Sequence, residues 1–195
     1  MKTACTIICI GFIMLSAKAQ TAQQKISLPS LSNWERPALV DFNAYEKLIA
    51  HVKKHRASHL VTLDTFLTMS KQKDVVILDT RSDSMYNAKH IKGALHLNFA
   101  DFNQYSLAQL IPDKNTKILI YCNNNFGDDP VFFVTKAAPS LPKQASLTLA
   151  LNIPTYINLF GYGYKNVYEF SQLISINNAK ISFEGTAVSA TAMNK

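Results

Sequence analysis

A cysteine stands where a buried strand gives way to a polar loop. The run Lys117–Tyr121 is dominated by β-branched and apolar residues, which predicts a strand buried on both faces, and Cys122 follows it directly. Residues 123–130 then read Asn-Asn-Asn-Phe-Gly-Asp-Asp-Pro. Asn and Gly tolerate unusual backbone angles, so such a loop can direct several amide N–H groups at one point. Those dipoles would stabilise an anion there, either the thiolate of Cys122 or a sulfur species bound to it.

Export would leave this cysteine without an internal disulfide partner. Residues 1–19 have a positive start, an apolar run and small residues before a cleavage point at Ala19, the order of a secretory signal peptide. We expect a protein that is periplasmic or secreted, with a retained membrane anchor as the alternative. Cleavage removes Cys5 and Cys9, so Cys122 is either a reactive thiol, a link to a partner chain or an inert buried side chain.

Composition limits the classes of partner. The chain has 195 residues, 48% of them hydrophobic, which is enough for one domain with a substantial core. The net charge of +7 is spread thinly, and the longest basic stretch is Lys-Lys-His-Arg at 53–56. A nucleic acid partner is therefore not favoured, because tracking phosphates requires a clustered basic face. After residue 19 no segment has the length of a membrane span, so we expect no stable membrane insertion after signal cleavage.

The elements that must position Cys122 alternate between strands and helices. We predict strands at 75–78, 94–97, Lys117–Tyr121 and 167–170, and helices from Asp41 to about Arg56, at 63–69, at 131–138 after an Asp129-Pro130 start, and at 147–160 with a kink near Pro154. This alternation predicts an α/β fold with a parallel sheet flanked by helices. Ligands bind at the carboxyl ends of such strands, which is where Cys122 lies.

Four segments in the right order resemble a rhodanese domain, the sulfurtransferase fold. They are Val-Ile-Leu-Asp-Thr-Arg at 76–81, Tyr-Asn-Ala-Lys-His-Ile-Lys-Gly-Ala at 86–94, Ile-Leu-Ile-Tyr-Cys at 118–122, and the Gly161 turn with Asn-Val-Tyr at 166–168. We therefore divide the chain into a signal peptide at 1–19, a leader and helix at 20–59, a rhodanese-like domain at 60–176 and a tail at 177–195. A proline-bearing insertion at 139–145 lies within the domain.

The resemblance implies a specific chemistry. Rhodanese-like enzymes take sulfane sulfur from a donor such as thiosulfate onto a cysteine as a persulfide, and pass it to cyanide or another thiophilic acceptor. Cys122 would be the nucleophile, and no metal or organic cofactor is required. The substrate-binding loop would be formed by the backbone amides of Asn123, Asn124, Asn125, Phe126 and Gly127.

The sequence departs from the family in ways that bear on the donor. No Arg follows Arg81, and an Arg clamp is what the related phosphatases need, so phosphatase activity is disfavoured. Asp128 and Asp129 put negative charge near the loop, which favours a neutral or organic persulfide donor over thiosulfate unless Asp129 caps the helix. A thiol–disulfide oxidoreductase is disfavoured because no second cysteine remains after cleavage. The alternative to an enzyme is a weak or inactive module that binds a protein partner or senses redox state.

Other polar residues have structural interpretations beside functional ones. Asp79 and Arg81 could touch substrate, but we favour an ion pair that braces the end of a strand. In the resembling motif His90 is a packing and hydrogen-bonding residue. His51, His55 and His59 could bind Zn or Cu if they shared one helix face, but Ala-Ser at 57–58 predicts that the helix ends before His59, which favours exposed histidines.

Overall fold

The computed structural model describes residues 37–138 and 148–188. The chain divides into two units, Met1–Val40 and Asp41–Lys195. Of the first unit only 37–40 are described, and they form no helix or strand. The predicted signal peptide and the predicted insertion at 139–145 lie outside the described residues, so they and the expectation of export stay predictions. Everything below concerns the second unit.

A five-stranded parallel sheet forms the centre of the second unit. Its spatial order is β1 (Leu60–Val61), β6 (Val167–Phe170), β5 (Lys117–Tyr121), β2 (Val75–Asp79) and β4 (Leu95–His96). All four strand pairs in this sheet are parallel, as the alternating elements predicted. A small antiparallel pair joins β3 (His90–Ile91) to β7 (Phe183–Glu184).

Helices cover both faces of the sheet. The chain forms α1 (Phe42–Ala57), α2 (Leu63–Met69), α3 (Asp83–Ala88), α4 (Gln104–Leu110) and α5 (Asn152–Gly161). Short 3₁₀ turns occupy Phe99–Asp101 and Asn123–Asn125. Ile118 and Ile120 pack in one core cluster with side chains of α1, α4 and α5, while Leu119 and Tyr121 pack in the other with side chains of α2. The period of two along β5 thus builds both cores.

Two of the predicted helices differ from the structure. Residues 131–138 form a single turn and then an extended segment, so the helix predicted there, with the positive end of its dipole, is wrong. The helix predicted for 147–160 begins only at Asn152. Pro154 is its third residue, a position whose N–H would have no partner inside a helix, so the proline is accommodated in the first turn.

The described tail contributes to the domain. Ile181 is buried in the core cluster that contains Leu119 and Tyr121. Strand β7, which lies beyond the predicted domain boundary at 176, pairs with β3. Among the residues that the structure describes, no helix combines the length and the apolar character needed to cross a membrane.

Candidate sulfur-transfer site

The thiol of Cys122 faces the start of helix α5. Cys122 has extended backbone angles, φ −147° and ψ 178°, so it continues the period of β5 and its side chain falls on the face of Ile118 and Ile120. There Sγ accepts the N–H of Leu151, the residue that precedes α5, at 3.1 Å. Cys122 has no exposed surface. The sulfur therefore lies at the N-terminal end of a ten-residue helix, within hydrogen-bond distance of the N–H that precedes it.

Asn125 fixes the loop to the neighbouring strand. Its Oδ1 accepts the N–H of Cys122 at 2.8 Å, and its Nδ2 donates to the carbonyl oxygens of Phe170 and Gln172 at 2.8 and 3.1 Å. The side chain is 4% exposed. Three hydrogen bonds to buried or half-buried backbone groups thus hold the turn after β5 against the end of β6.

Three of the five backbone amides expected to bind an anion donate to the protein itself. Those of Asn125, Phe126 and Gly127 donate to carbonyl oxygens of the protein, namely those of Cys122, Asn123 and Ile174. Among the described residues, only the amides of Asn123 and Asn124 in this loop have no acceptor. Of the five amides expected to surround an anion, two therefore have no acceptor among the described residues. The binding role of the loop stays a prediction.

A cavity of about 470 Å³ lies beside the thiol. Its lining combines polar residues, which follow β2 or begin the loop after β5, with apolar residues from several segments. The lining residues are Thr80, Arg81, Ser82, Met85, Asn98, Phe99, Ala100, Cys122, Asn123, Val134, Lys136 and Leu151. No carboxylate is among them, so the described wall of the cavity carries positive charge only.

Arg81 lines the cavity, but its guanidinium is bound to the protein. It forms an ion pair with Asp79, with Nη2 2.7 Å from Oδ2, and it also donates to the carbonyl oxygens of Phe132 and Lys89 at 2.8 and 2.6 Å. Burial alone would lower the pKa of Arg81, but the hydrogen bond and charge of Asp79 raise it. The structural ion pair expected from the sequence is confirmed.

The two acidic residues after the loop are bound away from the cavity. Asp129 accepts the N–H groups of Val131 and Phe132 and pairs with Lys89 at 2.9 Å. Burial alone would raise the pKa of Asp129, but the Phe132 N–H and the hydrogen bond and charge of Lys89 hold it below its usual value. Asp128 accepts the N–H of Ile176 at 2.8 Å. Asp129 therefore caps a turn, and neither carboxylate lines the space beside Cys122.

Comparison with known proteins identifies the family. The sequence model that describes the rhodanese-like domain matches residues 62–171, more than half of the chain. The chain belongs to the rhodanese-like domain family. The resemblance stated from the sequence is thereby confirmed, and so is the parallel sheet flanked by helices.

Curated relatives of this rhodanese-like chain include sulfurtransferases. It is 36% identical over 61 residues to the thiosulfate sulfurtransferase GlpE of Coxiella burnetii, across 31% of this chain and 54% of that protein. It is 33% identical over 97 residues to a tRNA uridine(34) hydroxylase of Aster yellows witches'-broom phytoplasma, across 48% of this chain and 30% of that protein. The chain thus spans about half the length of the sulfurtransferases it matches.

Solved structures with a similar fold are more distant. A rhodanese with anions from E. coli is 18% identical, with a TM-score of 0.36, across 57% of this chain and 99% of that one. The Alr3790 protein from Anabaena sp. is 19% identical, with a TM-score of 0.43, across 68% of this chain and 87% of that one.

Three of the histidines contact side chains or backbone atoms of the protein. His55 Nδ1 lies 2.9 Å from the Tyr156 hydroxyl, and the His59 ring stacks on the His55 ring at 4.0 Å after α1 has ended. Burial and the nearby His59 lower the pKa of His55. His90 lies 2.6 Å from the Tyr86 carbonyl oxygen and 3.2 Å from Glu184, a hydrogen-bonding position as expected. Among the described residues, no three His, Cys, Asp or Glu side chains form a potential metal site.

Sequence reasoning missed two residues of the site. Lys136 and Leu151 line the cavity, and Leu151 also donates to the thiol. Both lie more than ten residues beyond Cys122 in the chain and belong to no motif of the family. No pattern in the sequence predicts that these two residues lie near Cys122, because their proximity depends on the tertiary fold.

Proposed function

We propose that this protein is a sulfurtransferase that carries sulfane sulfur as a persulfide on Cys122 and passes it to a thiophilic acceptor. The observation that carries the proposal is the position of Cys122, which lines a cavity and whose Sγ accepts the Leu151 N–H at 3.1 Å. Membership of the rhodanese-like family supports it, and so does similarity to the thiosulfate sulfurtransferase GlpE of Coxiella burnetii.

Loading of sulfur is a displacement at sulfur. The Cys122 thiolate attacks the outer sulfur of a donor such as thiosulfate, a new S–S bond forms, and the bond to the sulfonate breaks. Sulfite leaves with the electron pair. In the second step a thiophile such as cyanide attacks the terminal sulfur of the persulfide, thiocyanate leaves, and the thiolate is restored. The two half-reactions balance without an external oxidant or reductant.

The surroundings of the sulfur favour its anionic forms. Negative charge on Sγ, as thiolate or persulfide, is stabilised by the Leu151 N–H and by the N-terminal end of α5. The described wall of the cavity carries no carboxylate that would oppose this charge. The engagement of Asp128 and Asp129 elsewhere removes the main reason to favour a non-enzymatic module.

Mass measurement tests the proposal directly. The protein is incubated with thiosulfate or an organic persulfide, and its intact mass is recorded before and after addition of cyanide. We expect a gain of one sulfur atom, mapped by digestion to Cys122 rather than Cys5 or Cys9, and its loss as thiocyanate with cyanide. The matched control is Cys122→Ser, which keeps the size of the side chain. Equal sulfur loading of the variant and the wild type, or none of either with every donor, would overturn the proposal.

A further inference from the structure

A second cavity, of about 280 Å³, shares no described lining residue with the cavity beside Cys122. Its wall combines residues at the end of α1, in β1, at the start of α5 and at the end of β6. This volume is near the lower end of the range of ligand sites, roughly 300–1,000 Å³. The cavity therefore has room for one small group rather than for a large cofactor.

The two charged residues in the described wall of this cavity neutralise each other. Arg56 donates from Nη2 to Glu169 Oε1 at 2.6 Å and from Nε to Oε2 of the same carboxylate. Glu169 is 3% exposed, and its Oε1 also accepts Asn152 Nδ2 at 3.1 Å. The wall thus offers an ionic ligand no free counter-ion, which favours a neutral ligand.

Asn152 has a buried oxygen that requires a hydrogen-bond donor. The residue lines the cavity and is 8% exposed, yet its Oδ1 has no partner among the described residues. A carboxylate only accepts hydrogen bonds, so Nδ2 must face Glu169 and the oxygen is the atom left over. Buried side-chain oxygens are normally paired. A bound molecule with an N–H group would complete this one.

Arg56 provides a donor beside this acceptor. Its Nη1 has no acceptor among the described residues, and its side chain is 31% exposed. Arg56 Nη2 and Asn152 Nδ2 are bound to the same oxygen of Glu169, so the guanidinium and the carboxamide are neighbours. A ligand that carries one N–H and one carbonyl oxygen close together matches both groups. Every residue of a peptide other than proline has this pair.

Exposed apolar side chains and an open strand edge accompany these polar groups. Leu60, Ile153 and Leu173 line the cavity and are all exposed. Leu60 belongs to β1, the terminal strand of the sheet, which pairs with β6 alone among the described strands. Extended peptides bind at such edges, and one apolar side chain would cover the exposed apolar surface. These features favour a peptide over an isolated small amide.

We propose that this cavity is a docking site for an extended segment of a partner protein. The segment places one apolar residue against Leu60, Ile153 and Leu173. The backbone N–H of that residue donates to Asn152 Oδ1, and its carbonyl oxygen accepts a hydrogen bond from Arg56.

The docking site adjoins the loop that follows Cys122 but does not include the thiol. Asn124 and Asn125 line the cavity, so the docked segment lies against this loop. Cys122 is not among the described residues of the wall. The inference therefore goes beyond the proposed sulfur transfer and does not depend on it.

Binding of blocked tripeptides tests the site without altering the protein. Acetyl-Ala-Leu-Ala-amide is titrated into the ¹⁵N-labelled full chain and followed by NMR, and we expect the side-chain amide signals of Asn152 to shift. Acetyl-Ala-Ala-Ala-amide should bind about tenfold more weakly because its central side chain covers less apolar surface.

An ester analogue is the matched control for the hydrogen bond. In this analogue of acetyl-Ala-Leu-Ala-amide an oxygen atom replaces the leucine N–H. We expect it to bind about tenfold more weakly, because Asn152 Oδ1 then faces an acceptor. Equal affinities of the amide and the ester, or of the leucine and alanine peptides, would overturn the inference.

Variants of the protein test the same contacts. We expect Asn152→Ala to weaken binding of the leucine tripeptide about tenfold and Leu173→Ser about threefold. The control is Val131→Ser, which changes an apolar side chain of similar exposure that lines neither cavity. Equal losses for Leu173→Ser and Val131→Ser would overturn the assignment.

Further outcomes identify the occupant and separate this inference from the proposed function. If sedimentation shows a dimer that the leucine tripeptide dissociates, the occupant is a second copy of this chain and the assignment to a partner protein is wrong. If sulfur loads on Cys122 while the tripeptide does not bind, the inference is wrong and the proposed function stands. If the tripeptide binds with the expected dependence on Asn152 but no donor loads sulfur, the docking site stands and the proposed function is wrong.

Discussion

Asn123 and Asn125 lie two residues apart in one 3₁₀ turn and are equally buried, yet their side chains are in opposite states. Asn125 uses its carboxamide in three hydrogen bonds that join the loop to β6. Asn123 lines the cavity, and its Oδ1 has no partner among the described residues. Burial alone therefore does not distinguish a residue that maintains the fold from one available to a ligand, and the hydrogen bonds do.

The same division extends along the loop. After Asn125 the polar groups of the chain are engaged with the protein: the Gly127 N–H bonds to Ile174, and Asp129 bonds to its own turn and to Lys89. Before Asn125, Cys122 and Asn123 line the cavity, and the backbone N–H groups of Asn123 and Asn124 have no acceptor among the described residues. We expect substitutions in the later half to change stability and those in the earlier half to change ligand binding.

The largest effect on stability should come from Asn125→Ala. The variant leaves the Cys122 N–H and the carbonyl oxygens of Phe170 and Gln172 without their partner, so we expect the free energy of unfolding to fall by about 3 kcal/mol. Urea denaturation followed by far-UV circular dichroism measures this change. Equal losses for Asn125→Ala and Asn123→Ala would contradict the distinction between the two residues.

A smaller effect is expected at Asp129, and it depends on pH. Its pKa is lowered in the folded protein, so the carboxylate stabilises the fold above its unfolded pKa, about 3.9, and this contribution is lost as pH falls below that value. Asp129→Asn should therefore lower the free energy of unfolding by about 1.5 kcal/mol at neutral pH, the size expected for hydrogen bonds to a charged group. The variant should also show a smaller decline of that free energy between pH 5 and pH 3. Glu46→Gln, in an exposed position on α1, is the control and should change neither value. An unchanged acid profile in Asp129→Asn would contradict the assignment.

Asn124→Ala should have a smaller effect than Asp129→Asn. The half-buried carboxamide makes two hydrogen bonds to the Lys136 backbone, so its loss should lower the free energy of unfolding by about 1 kcal/mol. Urea denaturation measures this change, and an unchanged stability would show that the contact contributes nothing to the fold.

The smallest effect on stability is expected for Asn123→Ala. The substitution removes an unpaired buried oxygen along with some packing, so the free energy of unfolding should stay within about 0.5 kcal/mol of the wild type. Urea denaturation followed by far-UV circular dichroism measures this change. A stability loss as large as that of Asn125→Ala would show that Asn123 has a structural partner after all.

Much of the sheet could be predicted from local patterns. The apolar run that ends at Tyr121 has the composition and length of a buried strand, and the cap at Asp41 begins α1, as the structure shows. The position of Cys122 at a carboxyl strand end followed from the same run.

The helix after Asp129 illustrates where local patterns fail. Asp129 and Pro130 are a good helix start, and Asp129 does accept two N–H groups as a cap would. The helix does not continue, because its apolar residues do not bury one helical face: Phe133 lies in the core, whereas Val131 and Val134 are 61% and 47% exposed. The Asp-Pro pattern is enough to start one helical turn, but a longer helix also needs an apolar face that packs against the core.

The partners of the thiol were beyond sequence reasoning for a related reason. Leu151 reaches the thiol, and Lys136 reaches the cavity beside Cys122, only through tertiary packing, and neither residue type signals a role in sulfur chemistry. The loop amides, by contrast, were predicted from composition, and three of them proved to be engaged in backbone hydrogen bonds.

Because side chains alternate between the two faces of β5, the position of Cys122 in the strand determines which face its thiol lies on. Tyr121, one residue earlier, projects into the opposite core beside the ring of Phe126, where burial raises the pKa of its hydroxyl. Deleting one residue between Lys117 and Tyr121 while keeping the strand pairing would rotate the sulfur into that aromatic environment, away from the Leu151 N–H. An odd or even count of strand residues therefore decides whether the sulfur lies at the start of α5 or on the opposite face of the sheet.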